Sequence, residues 1–96
     1  MADRLGAKML VDAARAIDER GRDYGSPTPN HIRIAKFFDA CLSDKLKPGV
    51  SVSPDDVVRM MIGVKLARLM QTPDHLDSIM DIAGYAACHV EITCGN

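Results

Sequence analysis

One helical stripe near the carboxyl end of the chain carries two carboxylates and a phenol. Asp77, Asp81 and Tyr85 follow one another at intervals of four residues, which places them on one face of a helix. Two carboxylates one turn apart are a usual source of oxygen ligands for Mg²⁺ in helical bundles, where substrate phosphates complete the coordination shell. Alternatively, Asp77 and Asp81 pair with Lys65 and Arg68 in an ion-pair network that fixes the register of two helices. The spacing is compatible with both interpretations.

Two cations share a face of the preceding helix. Met61, Lys65 and Arg68 stand at positions i, i+4 and i+7, so both positive charges lie beside a flexible apolar side chain. This arrangement is suited to binding phosphate groups. Alternatively, Lys65 pairs with a carboxylate of the neighbouring helix, or lays its aliphatic stem along the core and keeps its ammonium group in solvent.

A polar segment between two glycines, residues 21–25, is a third candidate for chemistry. Arg22, Asp23 and Tyr24 bring a guanidinium group, a carboxylate and a phenol together in one predicted turn, where an anion or a base could bind. The alternative is that Arg22 and Asp23 are solvated and that Tyr24 packs over the end of the helices. Spacing alone does not decide between a ligand loop and a solvated turn.

Four helices must position these residues. Apolar residues recur at helical spacing over about residues 3–20, 29–43, 54–70 and 73–92, and no segment alternates as a strand would. Three Ser/Thr-Pro pairs each supply an N-cap hydroxyl and a proline for the first helical position, and they are Thr28-Pro29, Ser53-Pro54 and Thr72-Pro73. Gly21 and the glycine and proline that follow it are expected to end the first helix. The chain is therefore predicted to be all-α, a four-helix bundle-like single domain over residues 1–96.

Length and charge exclude several classes of function. The chain has 96 residues and a net charge of −1, which leaves room for one domain and disfavours binding to duplex nucleic acid. A domain of this size buries only about 60% of the surface of its unfolded chain, so we expect a homo-oligomer. No apolar run approaches the ~20 residues of a membrane span, and no signal peptide is seen, so we expect a cytoplasmic protein without membrane contact. Three cysteines without CxxC spacing predict buried, reduced thiols.

Several of these segments together resemble a family of small proteins encoded by phages and prophages. The resemblance covers about residues 14–92 and depends on four segments. They are Arg22-Asp23-Tyr24-Gly25-Ser26-Pro27, Asp56-Val57 to Met60-Met61, Lys65-Leu66-Ala67-Arg68-Leu69, and Asp77-Ser78-Ile79-Met80-Asp81-Ile82-Ala83-Gly84-Tyr85-Ala86.

The phage family is in turn distantly similar to all-α nucleoside triphosphate pyrophosphohydrolases of the MazG type. This second resemblance implies a four-helix enzyme, often a dimer or tetramer, that binds Mg²⁺ through an ExxE pair and a later ExxD pair. Here Asp77 and Asp81 stand at the later pair with a spacing of four, while Lys65 and Arg68 stand at the earlier pair. Cations in place of two anionic ligands weaken the binding of a divalent metal.

The leading functional hypothesis is a phage-type protein that binds a nucleotide or a nucleotide-derived small molecule at a helix or subunit interface. Lys65 and Arg68 would bind the phosphates, and Tyr24 or Tyr85 would lie against the base. If the protein is an enzyme, the carboxylates of the helical stripe would hold Mg²⁺ and the reaction would be phosphoanhydride cleavage or phosphoryl transfer. The alternative is a non-enzymatic inhibitor or adaptor that binds a host protein.

Overall fold

The four predicted helices are present. A computed structural model describes residues 4–24 and 27–95, and of residues 23 and 24 it describes the backbone alone. Within the described residues there are four helices and no strand, as the hydrophobic pattern predicted. The helices are α1 (Leu5–Tyr24), α2 (Pro27–Cys41), α3 (Pro54–Gln71) and α4 (Leu76–Cys94).

The start of α3 forms as predicted from its sequence. The Ser53 hydroxyl accepts a hydrogen bond from the Asp56 backbone N–H at 3.3 Å, and the Asp56 carboxylate accepts one from the Ser53 backbone N–H at 2.9 Å. This reciprocal capping box satisfies two N–H groups that the first turn leaves without helical partners. Pro54 occupies the first helical position, where its missing N–H costs nothing.

The other two predicted helix starts are wrong. The helix α2 begins at Pro27, two residues before Pro29, because a proline is accepted throughout the first turn, whose N–H groups have no helical partner. Thr72 is the C-cap of α3, and its carbonyl accepts a hydrogen bond from His75 N–H at 3.1 Å. Pro73 therefore sits in a turn, and α4 starts later, with the His75 ring as its N-cap.

The predicted end of α1 at Gly21 is also wrong. The helix continues through Gly21 to Tyr24, and Gly21 has no positive φ. A glycine inside a helix costs about 1 kcal/mol relative to alanine but leaves every backbone hydrogen bond possible. Of the segment predicted to form the turn, residues 25 and 26 lie outside the described part of the chain.

The hydrophobic core lies mainly between α2, α3 and the loop that joins them. Ala35, Val52 and Val57 are buried in contact with one another, and five half-buried side chains pack around them: Ile34, Phe38, Leu42, Leu46 and Met61. Asp39 of α2 accepts a hydrogen bond from Val52 N–H and so ties the loop to the helix. The helix α4 packs along α3, and α1 packs chiefly on α4. None of the described helices is long and apolar enough to cross a membrane.

Candidate functional site

A cleft of about 680 Å³ opens between α1, α2 and α4. Its volume falls within the range of about 300–1,000 Å³ that is typical of small-molecule sites. Apolar and aromatic side chains form much of its wall, and charged or amide groups stand among them. The lining residues used below are Arg20, Gly21, Asn30, His31, Gly84, Tyr85 and Cys88.

A buried histidine in the wall of the cleft has a free hydrogen-bonding atom. The His31 side chain is 5% exposed, and its Nδ1 lies 2.8 Å from the Pro27 carbonyl oxygen. A carbonyl can only accept, so Nδ1 carries the hydrogen, and in the neutral ring Nε2 is left as an acceptor. Nε2 is buried without a hydrogen-bond partner among the described residues. A buried polar atom left unpaired costs about 1–3 kcal/mol, so this atom indicates a place for a ligand donor.

An aromatic ring stands next to this histidine. Tyr85 of α4 meets the His31 ring edge to face, with ring centroids 6.5 Å apart and planes at 78°. The two rings connect α2 and α4 and form part of the cleft wall, since both residues line the cleft. Tyr85 was predicted to lie against a base, and its position in the cleft is compatible with that role.

The charges beside the cleft form a small ion-pair network. The two oxygens of Asp81 face two cations: Lys65 Nζ lies 3.0 Å from Oδ2, and Arg20 Nη2 lies 3.5 Å from Oδ1. The Asp81 and Lys65 side chains are 17% and 22% exposed. Lys65 therefore pairs with a carboxylate of the neighbouring helix, which was the alternative to phosphate binding. Arg68 and Asp77 are exposed and form no ion pair with other described residues.

The carboxylates predicted to hold Mg²⁺ lie beside a much smaller cavity. Asp77 and Asp81 line a space of about 60 Å³ between α1 and α4, together with Arg20. Within the described residues no group of three or more His, Cys, Asp or Glu side chains is placed to hold a metal. Because cations already face both oxygens of Asp81, this donor set fits Mg²⁺ poorly. Mg²⁺ binding stays a prediction.

Two helical glycines widen the cleft. Gly21 of α1 and Gly84 of α4 both line it, and a Cβ atom added at either position would meet no atom within 4 Å. The absent side chains therefore do not serve close packing between the helices of this chain. Because these two positions have no side chain, open volume remains in the cleft beside the His31 and Tyr85 rings.

The predicted ligand segment at the end of α1 is only partly described. Arg22 is exposed in the last turn of α1. The side chains of Asp23 and Tyr24 lie outside the described part of the structure, so their roles stay predictions.

His31 and Arg20 line the cleft but were not among the residues predicted to form a site. His31 was not predicted to line a site, although it shares helical spacing with Ile34, Ala35 and Phe38 and therefore lies on the apolar face of α2. That spacing was the feature of the sequence that could have predicted a buried position for His31.

One thiol reaches the cleft. Cys88 is half-buried, and burial raises the pKa of its thiol; the Arg20 charge opposes this increase, and the Glu91 charge adds a smaller one. The prediction of buried thiols is wrong for Cys41 and Cys94, which are exposed, since both lie at the last residue of a helix.

The sequence of this small all-α protein matches a known protein family. The chain belongs to the family described as Domain of unknown function (DUF6378), whose profile matches residues 8–93. It is 46% identical over 79 residues to the Gene 55 protein of Mycobacterium phage L5, an alignment that covers 81% of this chain and 47% of the relative. It is 38% identical over 85 residues to the Gene 55 protein of Mycobacterium phage D29, with 88% of this chain and 52% of the relative covered.

The chain thus spans about half the length of the curated relatives that it matches. No solved structure matches it. The expected resemblance to phage-encoded proteins is confirmed by these relatives, while the more distant resemblance to MazG-type enzymes stays a prediction.

Proposed function

We propose that this protein binds a nucleotide or a nucleotide-derived small molecule in the cleft between α1, α2 and α4, in the cytoplasm of the cell that makes it. The observation that carries the proposal is the buried acceptor His31 Nε2 in the wall of a cleft of about 680 Å³. A flat heterocycle with an N–H donor satisfies this acceptor and packs against the neighbouring Tyr85 ring. Nucleobases combine these two properties.

The phosphate groups of the ligand are assigned to Arg20. Its side chain is largely exposed and lies 3.5 Å from Asp81, a longer contact than the 3.0 Å between Lys65 and the same carboxylate. Arg20 can turn to a phosphate at little cost, because Lys65 continues to neutralise Asp81 and a guanidinium group binds phosphate in a bidentate manner. In the initial hypothesis Lys65 and Arg68 had this role, but neither lines the cleft.

The test is thermal unfolding of the purified protein with nucleotides, cyclic nucleotides and cyclic oligonucleotides, each with and without Mg²⁺. A ligand at 100 times its dissociation constant adds about 2.7 kcal/mol to the native state, which moves the midpoint of a domain of this size by roughly 10 °C. A metal-independent shift supports a binding protein. A shift that needs Mg²⁺ and is accompanied by cleavage supports the MazG-like enzyme. No shift with any compound overturns the proposal and favours the host-protein alternative.

A cleft variant separates binding in this cleft from binding elsewhere. Gly84→Ala has room for its methyl group, and it should stabilise the free protein by up to about 1 kcal/mol because alanine is the better helix former. The same methyl group narrows the cleft, so the ligand-induced shift should shrink. Gly6→Ala is the matched control, since Gly6 is also helical and open but does not line the cleft. Equal ligand shifts in both variants would place the ligand elsewhere.

A further inference from the structure

An apolar stripe runs along the outer side of α3. Its members recur at intervals of three and four residues, which places them on one face of the helix, and all of them are exposed: Met60, Gly63, Val64, Ala67 and Met70. The adjoining face of the same helix carries the buried Val57 and Val58 and the cleft residue Met61. The helix is therefore apolar on two adjoining faces, and the described residues cover the face of Val57, Val58 and Met61 but leave the stripe exposed.

The composition of this α3 stripe suits contact with another helix. Met70 is 85% exposed and Val64 55% exposed, and no charged residue stands among the five. Gly63 and Ala67 are small, and a Cβ atom added to Gly63 would meet no atom within 4 Å. A second backbone can therefore approach closely at the centre of the stripe, while the methionines at its two ends adapt to the partner surface.

The exposed area of the chain favours a second copy as the partner. A folded monomer of 10.4 kDa exposes about 5,400 Å², whereas this chain exposes 7077 Å². The difference is about twice the roughly 800 Å² that each partner buries in a standard interface. The radius of gyration, 15.2 Å, also exceeds the ~12.5 Å of a compact chain of this length. The excess area is therefore large enough to supply one copy's share of an interface.

We propose that the α3 stripe is the interface between two copies of this chain. A two-fold axis through the middle of the stripe makes the two α3 helices antiparallel and sets Met60 of one copy opposite Met70 of the other. The interface is then self-complementary, as two-fold symmetry requires. The proposal is independent of the function proposed for the cleft, because no residue of the stripe lines the cleft.

Sedimentation equilibrium over a range of protein concentrations tests this interface. The wild-type chain should have about twice its mass of 10.4 kDa. Val64→Asp places two charges at the centre of the interface and should weaken the dimer at least about 100-fold. Met70→Lys adds a cation to the last turn of α3, where it favours the helix, and it should also weaken the dimer.

The matched control is Val50→Asp. Val50 has the same side chain as Val64 and nearly the same exposure, 53%, but it lies in the loop before α3. This variant should remain a dimer, and circular dichroism shows that each variant retains its helices. The proposal is overturned if the wild-type chain is a monomer at 100 µM, or if Val64→Asp and Met70→Lys fold and associate as the wild type does.

Discussion

At the scale of single residues, Asp81 is the carboxylate that pairs with two neighbouring cations, Lys65 and Arg20. Asp81→Asn removes the counter-charge of Lys65, whose side chain is only 22% exposed. Pairs at the surface contribute 0–1 kcal/mol and buried pairs more when broken, so we expect a loss of about 1–2 kcal/mol in the free energy of unfolding, measured in urea. Asp12→Asn breaks the exposed Lys8–Asp12 pair and should change stability by less than about 0.5 kcal/mol. Equal losses would contradict a structural role for Asp81.

The cysteines give a second residue-scale prediction. Burial raises the pKa of the Cys88 thiol, and the thiolate is the reactive form, so Cys88 should be alkylated more slowly than the exposed Cys41 and Cys94 near pH 8. Mass spectrometry of the peptides after timed exposure to iodoacetamide measures the three rates. Three equal rates would show that Cys88 is open to solvent. Denatured protein, in which all three thiols should react alike, is the control.

Residue spacing predicted part of the site. The ion pair of Lys65 with a carboxylate of α4 was one of three open interpretations, because the spacing shows which face a residue occupies and not what lies opposite. His31 was missed for the same reason. Its helix face was visible in the sequence, but the cleft beside it arises only when α1 and α4 pack next to α2.

At the scale of helices, the start of α3 should make stability depend on pH. The backbone N–H of Ser53, its hydroxyl group and Arg59 lower the pKa of Asp56 below 3.8. A pKa that is lower in the folded state gives stability that is complete above the unfolded pKa and is lost as the pH falls through the folded pKa. Thermal midpoints between about pH 5 and pH 2 should therefore fall less steeply for Asp56→Asn than for the wild type.

The matched control for this pH effect is Asp74→Asn. Asp74 is an exposed aspartate in the turn before α4, so its replacement should leave the slope of the midpoint against pH as it is in the wild type. If Asp56→Asn and the wild type have parallel curves, the carboxylate in the capping box does not stabilise the fold.

The three Ser/Thr-Pro pairs that were predicted to begin helices show how far local sequence predicts a helix start. They differ three residues after the hydroxyl: Ser53 is followed by Asp56, whereas Thr28 and Thr72 are followed by His31 and His75. Asp56 returns a hydrogen bond to the cap N–H, and of the three hydroxyl residues Ser53 is the one that becomes an N-cap. The two histidines take other positions, one against the Pro27 carbonyl and one as the cap of α4.

At the scale of the whole molecule, the hydrophobic period predicted the number of helices and their class, because each helix has to bury one apolar face. The period could not show what covers the second apolar side of α3. Seven side chains in the described part of the chain are buried: Ala13, His31, Ala35, Val52, Val57, Val58 and Ser78. So small a core is marginal for an isolated domain, which supports the proposal that two copies of the chain associate.

Association of this kind makes the unfolding temperature depend on protein concentration. Unfolding of a dimer yields two chains, so mass action favours the native state as concentration rises. With ordinary unfolding entropies for two chains of this length, the midpoint should rise by about 3 °C for each tenfold increase in concentration. Val64→Asp should show a constant midpoint, and Val50→Asp should keep the wild-type dependence. A wild-type midpoint that is the same at 1 and 100 µM would mean that the α3 stripe contributes nothing to the stability of the isolated chain. The seven buried side chains would then suffice to keep the chain folded.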